Sequence, residues 1–262
     1  MSQPRTYLDW NASAPLRPEA RAAMLSAMDE VGNPSSVHAE GRRAKAIVER
    51  ARAQVADLVG CDTSEVVFTS GATEAAALSA TMCETNHVTE SCHECVIEQH
   101  SGGVMAPAFE DYGHISWSFI TTKPGETALS ETANGETGVL LEPFPDLTGE
   151  GLLIMDATQH LGKASLALST AKLNWGADAL FGSAHKMGGS KGVGCFVGHV
   201  GEGVALFRGG GQEQGRRAGT ENVIGIAGFG AAAEAAKRDL EAGVWEQVEN
   251  LRDLLENTLE DA

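Results

Sequence analysis

Positive charge is scarce in this chain of 262 residues: 19 lysines and arginines stand against 36 aspartates and glutamates, a formal net charge of -17. So acidic a surface excludes broad contact with nucleic acid or an anionic membrane and favours solubility, while leaving the fold open. Long apolar runs are lacking as well, and none approaches the roughly 20 residues of a membrane span. The opening, Met1 to Tyr7, has no apolar core of the kind a signal peptide needs. A cytoplasmic location is therefore expected. Cysteine is sparse and odd in number: Cys61, Cys83, Cys92, Cys95 and Cys195. An odd count in a chain this large argues against a disulfide framework. Cys92 and Cys95 form a CxxC, but only His87 and His100 lie near and no second ligand pair follows at zinc spacing, so no metal site is expected. A redox pair is not expected either, because no helix start is read after Cys92.

What is present reads as strands alternating with helices, the pattern of an α/β protein with a mostly parallel sheet. The length suits one large domain or a domain with an appendage. Pro18 opens a helix that runs to about Gly32, and the loop Gly32-Asn33-Pro34-Ser35-Ser36 follows. Ala44, Val48, Ala51, Val55 and Val59 give residues 38–59 the apolar stripe of a long helix, closed by Gly60. Strands are expected at Val66–Thr69, at Ile115–Ile120, at 151–155, at 178–181 and at 193–197, with a further strand end around His93, flanked by Val88-Thr89 and Cys95-Val96-Ile97. Cys195, inside one of them, reads as a small core residue. Gly209 to Asn222 is a polar loop rich in glycine and arginine, either a binding loop or a linker. Helices follow from Ile224 and from Val244, the second with Leu251, Leu254, Leu255 and Leu259 on one stripe.

Three of these junctions carry chemistry. The first is Ser70-Gly71-Ala72-Thr73-Glu74, between a strand and a helix of small residues. Free N–H groups and the positive end of the dipole make such a turn an anion site, although an ordinary N-cap has the same residues. The second is Asp156, which ends an apolar run at the edge where open α/β sheets bind ligands, with Gln159 three residues on. A buried carboxylate is costly without a cation beside it. The third is Lys186, in Ser183-Ala184-His185-Lys186 before a glycine turn. A lysine desolvated there, or set near another cation, loses its proton readily and can form a Schiff base; the plain alternative is a solvated side chain in a loop. An anion site, a strand-end acid and a lysine together are what pyridoxal phosphate requires.

Seven ordered segments carry a resemblance across nearly the whole chain. They are Tyr7 to Ala12, Gly32 to His38, Phe68 to Glu74, Asn134 to Gly138, Asp156 to Gln159, Ser183 to Lys186 and Gly209 to Asn222. The chain resembles the class V aminotransferase-fold enzymes, and most closely the cysteine desulfurases of iron–sulfur cluster assembly. The resemblance implies the fold type I of pyridoxal-phosphate enzymes. It divides the chain into residues 1–15 as part of a small domain, 16–242 as the large cofactor-binding domain, and 243–262 as the start of a truncated C-terminal small domain. It implies that Lys186 holds the cofactor and moves the substrate's alpha proton, and that His93 stacks on the ring. Asp156 would pair with the pyridine nitrogen and Gln159 with the phenolic oxygen. Ala72, Thr73, Ser183 and His185 would bind the phosphate, completed by Thr220 from the second subunit of a homodimer. Asn11 and Asn134 would lie near the substrate. The implied reaction takes sulfur from L-cysteine to a protein thiol, for an iron–sulfur scaffold or another acceptor, and leaves alanine.

Departures keep other readings open. Gly135 stands where many relatives have a second asparagine, and Pro143 and Pro145 fall where a helix is expected. No cysteine matches the family's sulfur acceptor by position. Another class V enzyme, an aminotransferase or a selenocysteine or cysteine-sulfinate lyase, remains an alternative, as does a catalytically impaired cofactor-binding remnant.

Overall fold

The computed structural model describes residues 5–82, 85–106, 123–141, 151–166, 168–169, 172–173, 177–198 and 205–261. The expected strand at Ile115–Ile120, the prolines at 143 and 145, and Cys83 lie outside the described residues.

The centre is a sheet of seven strands: β1 (Val66–Thr69), β2 (Thr85–Thr89), β3 (Val104–Ala106), β4 (Glu126–Glu131), β5 (Leu152–Asp156), β8 (Ala179–Ser183) and β9 (Gly194–Gly198). A separate pair, β6 (Leu168–Ser169) and β7 (Lys172–Leu173), forms a small hairpin. Across the main sheet the order is β1-β9-β8-β5-β4-β2-β3, and only β9 runs against its neighbours. The remaining pairs are parallel, so their carboxyl ends share one edge. The expectation of a mostly parallel sheet flanked by helices holds.

Alternation along the strands builds two apolar layers, because successive side chains leave opposite faces. Val66, Phe68, Leu153 and Met155 enter one core, under α1 (Pro18–Met28), α2 (Ala39–Val59) and α5 (Val223–Glu241). Val67, Leu129, Ile154 and Phe181 enter the other, under α3 (Ala72–Ala80) and α4 (Glu94–Gln99). Local chemistry sets the helix ends. Pro18 opens α1, Gly60 closes α2 in the left-handed region at φ 81, and Asn222 caps α5 by accepting from Gly225 N at 3.0 Å. No helix among the described residues is long and apolar enough to cross a membrane.

Three expectations need correction. Of the strand end expected around His93, Val88-Thr89 closes β2, but Cys95-Val96-Ile97 belongs to α4, whose N-cap His93 accepts from Cys95 N at 3.1 Å. A run of three apolar residues fits either state, and the capping bond decides it. A helix start therefore does follow Cys92, although burial raises that thiol's pKa strongly. Helix α1 ends at Met28, one turn before Gly32. The expected last helix is present as α6 (Val244–Glu260), and the leucines of its stripe, Leu251, Leu254, Leu255 and Leu259, are all exposed.

Candidate active site

Parallel pairing brings the ends of β4, β5 and β8 together, with Glu131, Asp156 and Phe181 adjacent in register. Beyond that edge lies a cavity of about 770 Å³, within the range of ligand pockets. Asn11, Ala72, Thr73, His93, Asp156, Gln159, Ser183, His185 and Lys186 all line it.

Helix α3 points its start at this cavity. Gly71 precedes it with no side-chain cap, so the first N–H groups are left for another partner. The approach is close because Gly194 of β9 lies against it: a Cβ there would meet Gly71 Cα at 2.7 Å. Glu74 ties the turn from behind. Its Oε2 accepts from Ser70 N at 2.8 Å and its Oε1 from Arg217 Nε at 2.9 Å.

Asp156 ends β5 and is 7% exposed. Burial raises its pKa; Thr158, whose N–H donates to Oδ1 at 2.8 Å, and the charges of His93 and Lys186 oppose the rise. Beside it Glu131 is buried too and is pushed up to about 7, by burial first, against hydrogen bonds from Asn134 and Ser91. A carboxylate buried this deeply wants a cation or a proton beside it.

Lys186 sits in the tight turn Ala184–Met187 that follows β8. Burial lowers its pKa, and the nearby carboxylates of Asp156, Asp9 and Glu136 work against that fall. Its Nζ donates to the Asn11 carbonyl at 2.6 Å. The N-terminal segment crosses the cavity at this point: Ala14 N donates to His185 O at 3.0 Å, and Ser13 Oγ lies 3.2 Å from His185 Nδ1. Gln159 Nε2 also donates to Asn11 O, at 3.1 Å. Gly135 accepts from Asn11 Nδ2, and a Cβ on it would lie 3.3 Å from Gln159 Nε2.

One expected site residue lies off the cavity wall, and Thr220, expected to serve the second subunit's site, lies outside this chain's own cavity. Asn134 does not line the cavity; it accepts from Glu136 N and Thr137 N, each at 2.8 Å, and donates to Glu131 Oε1 at 2.7 Å. It shapes the turn that holds Glu131. Thr220 borders a smaller neighbouring cavity with Arg217 and Asn222. Sequence reasoning missed Glu131, Cys95, Thr158 and Lys191 on the cavity wall, and Lys163 behind it. Glu131 carried a signal only to a reader who recognised β4, whose Thr127 and Ser130 disguise a buried strand.

The donor set fits pyridoxal phosphate. An unsatisfied helix start, Thr73, Ser183, His185 and Lys191 gather where a dianion would rest. A buried acid that lacks a full counter-charge waits for a protonated ring nitrogen, and Thr158 Oγ1 is buried without a partner beside it.

The aminotransferase class-V family matches residues 6–262. Cysteine desulfurase 2 of Trichormus variabilis is 37% identical over 97% of this chain and 68% of its own length. Among solved structures, a NifS-like protein from Rickettsia africae ESF-5 is similar at a TM-score of 0.84 and 26% identity, covering 98% of this chain and 75% of that one. SspA in complex with cysteine is similar at a TM-score of 0.78 and 27% identity, covering 88% and 72%. With the seven-stranded sheet and the cavity at its carboxyl edge, these matches identify the family: the chain belongs to the class V aminotransferases.

Proposed function

We propose that the protein is a pyridoxal-phosphate-dependent cysteine desulfurase of the cytoplasm, acting as a homodimer in sulfur supply for iron–sulfur clusters. The observation that carries the reading is one cavity lined by the Lys186 amine, the buried Asp156 carboxylate and the open start of α3. The name of the Trichormus relative and the cysteine held by SspA support the choice of L-cysteine.

Pyridoxal phosphate, when bound, supplies a ring that draws electrons away from the substrate's alpha carbon. The chain's own residues do the rest. The N–H groups of Ala72 and Thr73, with Ser183 and His185, hold the phosphate; Thr220 of a second copy completes that site. The Asp156 carboxylate keeps a proton on the ring nitrogen, and Gln159 donates to the phenolic oxygen. The His93 imidazole covers one face of the ring and excludes water from it. The Lys186 amine, brought toward neutrality by burial, would hold the cofactor through its aldehyde group and would carry the substrate's alpha proton. Asn11 stands on the substrate side, and Asn134 acts one step back, through the turn that holds Glu131. In the sulfur step the substrate's C–S bond breaks as an S–S bond forms to a protein thiolate. The products are alanine and a persulfide, and the substrate's carbon is protonated from Lys186. In this reading residues 16–242 are the cofactor domain, and residues 1–15 and 243–262 belong to a smaller one.

The test is to supply purified protein with pyridoxal phosphate, L-cysteine and a thiol reductant, then measure alanine and sulfide. Equal amounts of both, lost in Lys186→Ala, are expected. Cofactor binding with no alanine from cysteine would leave a different class V reaction, or none, in its place.

A further inference from the structure

One half-buried amine next to the cavity has no part in that chemistry. Lys163 follows Gln159 by four residues, in the succession of turns after β5. Those turns close through Leu161 N to Ala157 O at 2.8 Å and Lys163 N to His160 O at 2.9 Å. Gly162, at φ +75, presses the turn against α5, where a Cβ would meet Ala236 Cβ at 2.9 Å. The chain is thereby folded back, and Lys163 Nζ donates to Gln159 Oε1 at 2.9 Å.

We propose that Lys163 is a positioning residue that fixes which end of the Gln159 amide faces the cofactor. An ammonium group has three donors and no acceptor. The amide must therefore turn its oxygen to Lys163 and its NH₂ group away, toward the cavity and Asn11. On the far side the Asn11 carbonyl, an acceptor only, takes Gln159 Nε2 at 3.1 Å and Lys186 Nζ at 2.6 Å. A reversed amide would set a donor against an ammonium at one end and an oxygen against a carbonyl at the other. Both ends thus demand one orientation, and Lys163 is the end that persists when a ligand displaces the Asn11 contact. Burial and the Lys186 charge push the Lys163 pKa down to about 8, which leaves it mainly protonated at neutral pH. His160, His185 and Lys186 are the titratable groups that sense the same amine or are sensed by it.

This rests on the pyridoxal-phosphate reading, in which Gln159 donates to the ring's phenolic oxygen. A donor there stabilises the deprotonated form of the bound chromophore, so its loss raises the pH at which the visible band changes. The experiment titrates that band in the cofactor-loaded wild type, Lys163→Met, Lys163→Arg, Gln159→Leu and the Lys163→Met/Gln159→Leu pair, and measures cofactor affinity of each cofactor-free protein. In Lys163→Met the midpoint should rise by about one pH unit, the size of one hydrogen bond, with roughly tenfold weaker cofactor binding. Gln159→Leu should move it the same way, Lys163→Met should add nothing in that background, and Lys163→Arg should restore the wild-type midpoint. A midpoint that stays put in Lys163→Met but moves in Gln159→Leu overturns the proposal. Additive shifts in the double variant overturn it too, because Lys163 would then act as a bare charge. If the wild type holds no cofactor with a Lys186-dependent band, the underlying reading falls and takes this inference with it.

Discussion

Removing Glu213 should loosen the loop that borders the smaller cavity beside Ser70, ahead of the start of α3. Glu213 sits in that loop at φ 47, followed by Gln214 at φ 57, both in the left-handed region that side chains disfavour. The Arg52 guanidinium holds it there, with Nη1 to Oε2 at 2.7 Å and Nη2 to Oε1 at 2.9 Å. Oε2 also accepts from Phe68 N at 2.9 Å, and Arg52 Nη1 donates to Val66 O at 2.7 Å. The two side chains are only 4% and 1% exposed. In Glu213→Ala the guanidinium stays buried, keeping its bond to Val66 O but facing one carboxylate, the exposed Glu49, 3.3 Å from its Nε. Breaking a buried pair from one side costs about 3–5 kcal/mol. At roughly 2–4 °C per kcal/mol for a chain of this size, Tm should fall by about 6–20 °C. Urea unfolding and calorimetry of the cofactor-free protein read this directly. The Arg52→Met/Glu213→Leu pair should be less destabilised than Glu213→Ala alone, since no charge is left unpaired. A loss under about 1 kcal/mol in Glu213→Ala, the level of an exposed pair, would refute the reasoning.

Two further outcomes follow from the same geometry. Glu131 has its pKa raised from an ordinary 4.5 to about 7, so the folded state binds more protons than the unfolded one between those values. Stability should therefore fall as pH rises from 4.5 to 7, and Glu131→Gln should flatten that slope in urea unfolding series. An unchanged slope would mean that Glu131 is not the titrating group. Gly194→Ala places a Cβ 2.6 Å from Gly182 O and 2.7 Å from Gly71 Cα. Overpacking of this kind costs about 1–3 kcal/mol, and the displaced start of α3 should weaken cofactor binding measured by fluorescence.

Much of this was legible in the residues alone. The stripe of Ala44, Val48, Ala51 and Val55 marked α2 because a 3.6-residue period has no other use at that length. The apolar run ending in Asp156 marked β5 because a strand covered on both faces needs no alternation. What stayed hidden depended on distant pairing. β4 is polar in sequence, and only its place between β2 and β5 buries Thr127 and Ser130. Nothing in the sequence singles out Arg52, whose burial depends on the distant loop carrying Glu213. Lys163 looks like any lysine after a glycine; the turn at Gly162 brings its amine to Gln159. α4 was hidden for the opposite reason: six residues are too few for a period, and its His93 cap is an unusual one.

The most direct test of the central claim is to reduce the cofactor-loaded protein with borohydride, digest it and locate the added mass by tandem mass spectrometry. The account predicts a single phosphopyridoxyl group on the Lys186 side chain, and an Asp156→Asn variant that binds the cofactor but releases far less alanine. Label on Lys163, Lys191 or an exposed lysine instead, with Lys186 unmodified, would contradict it.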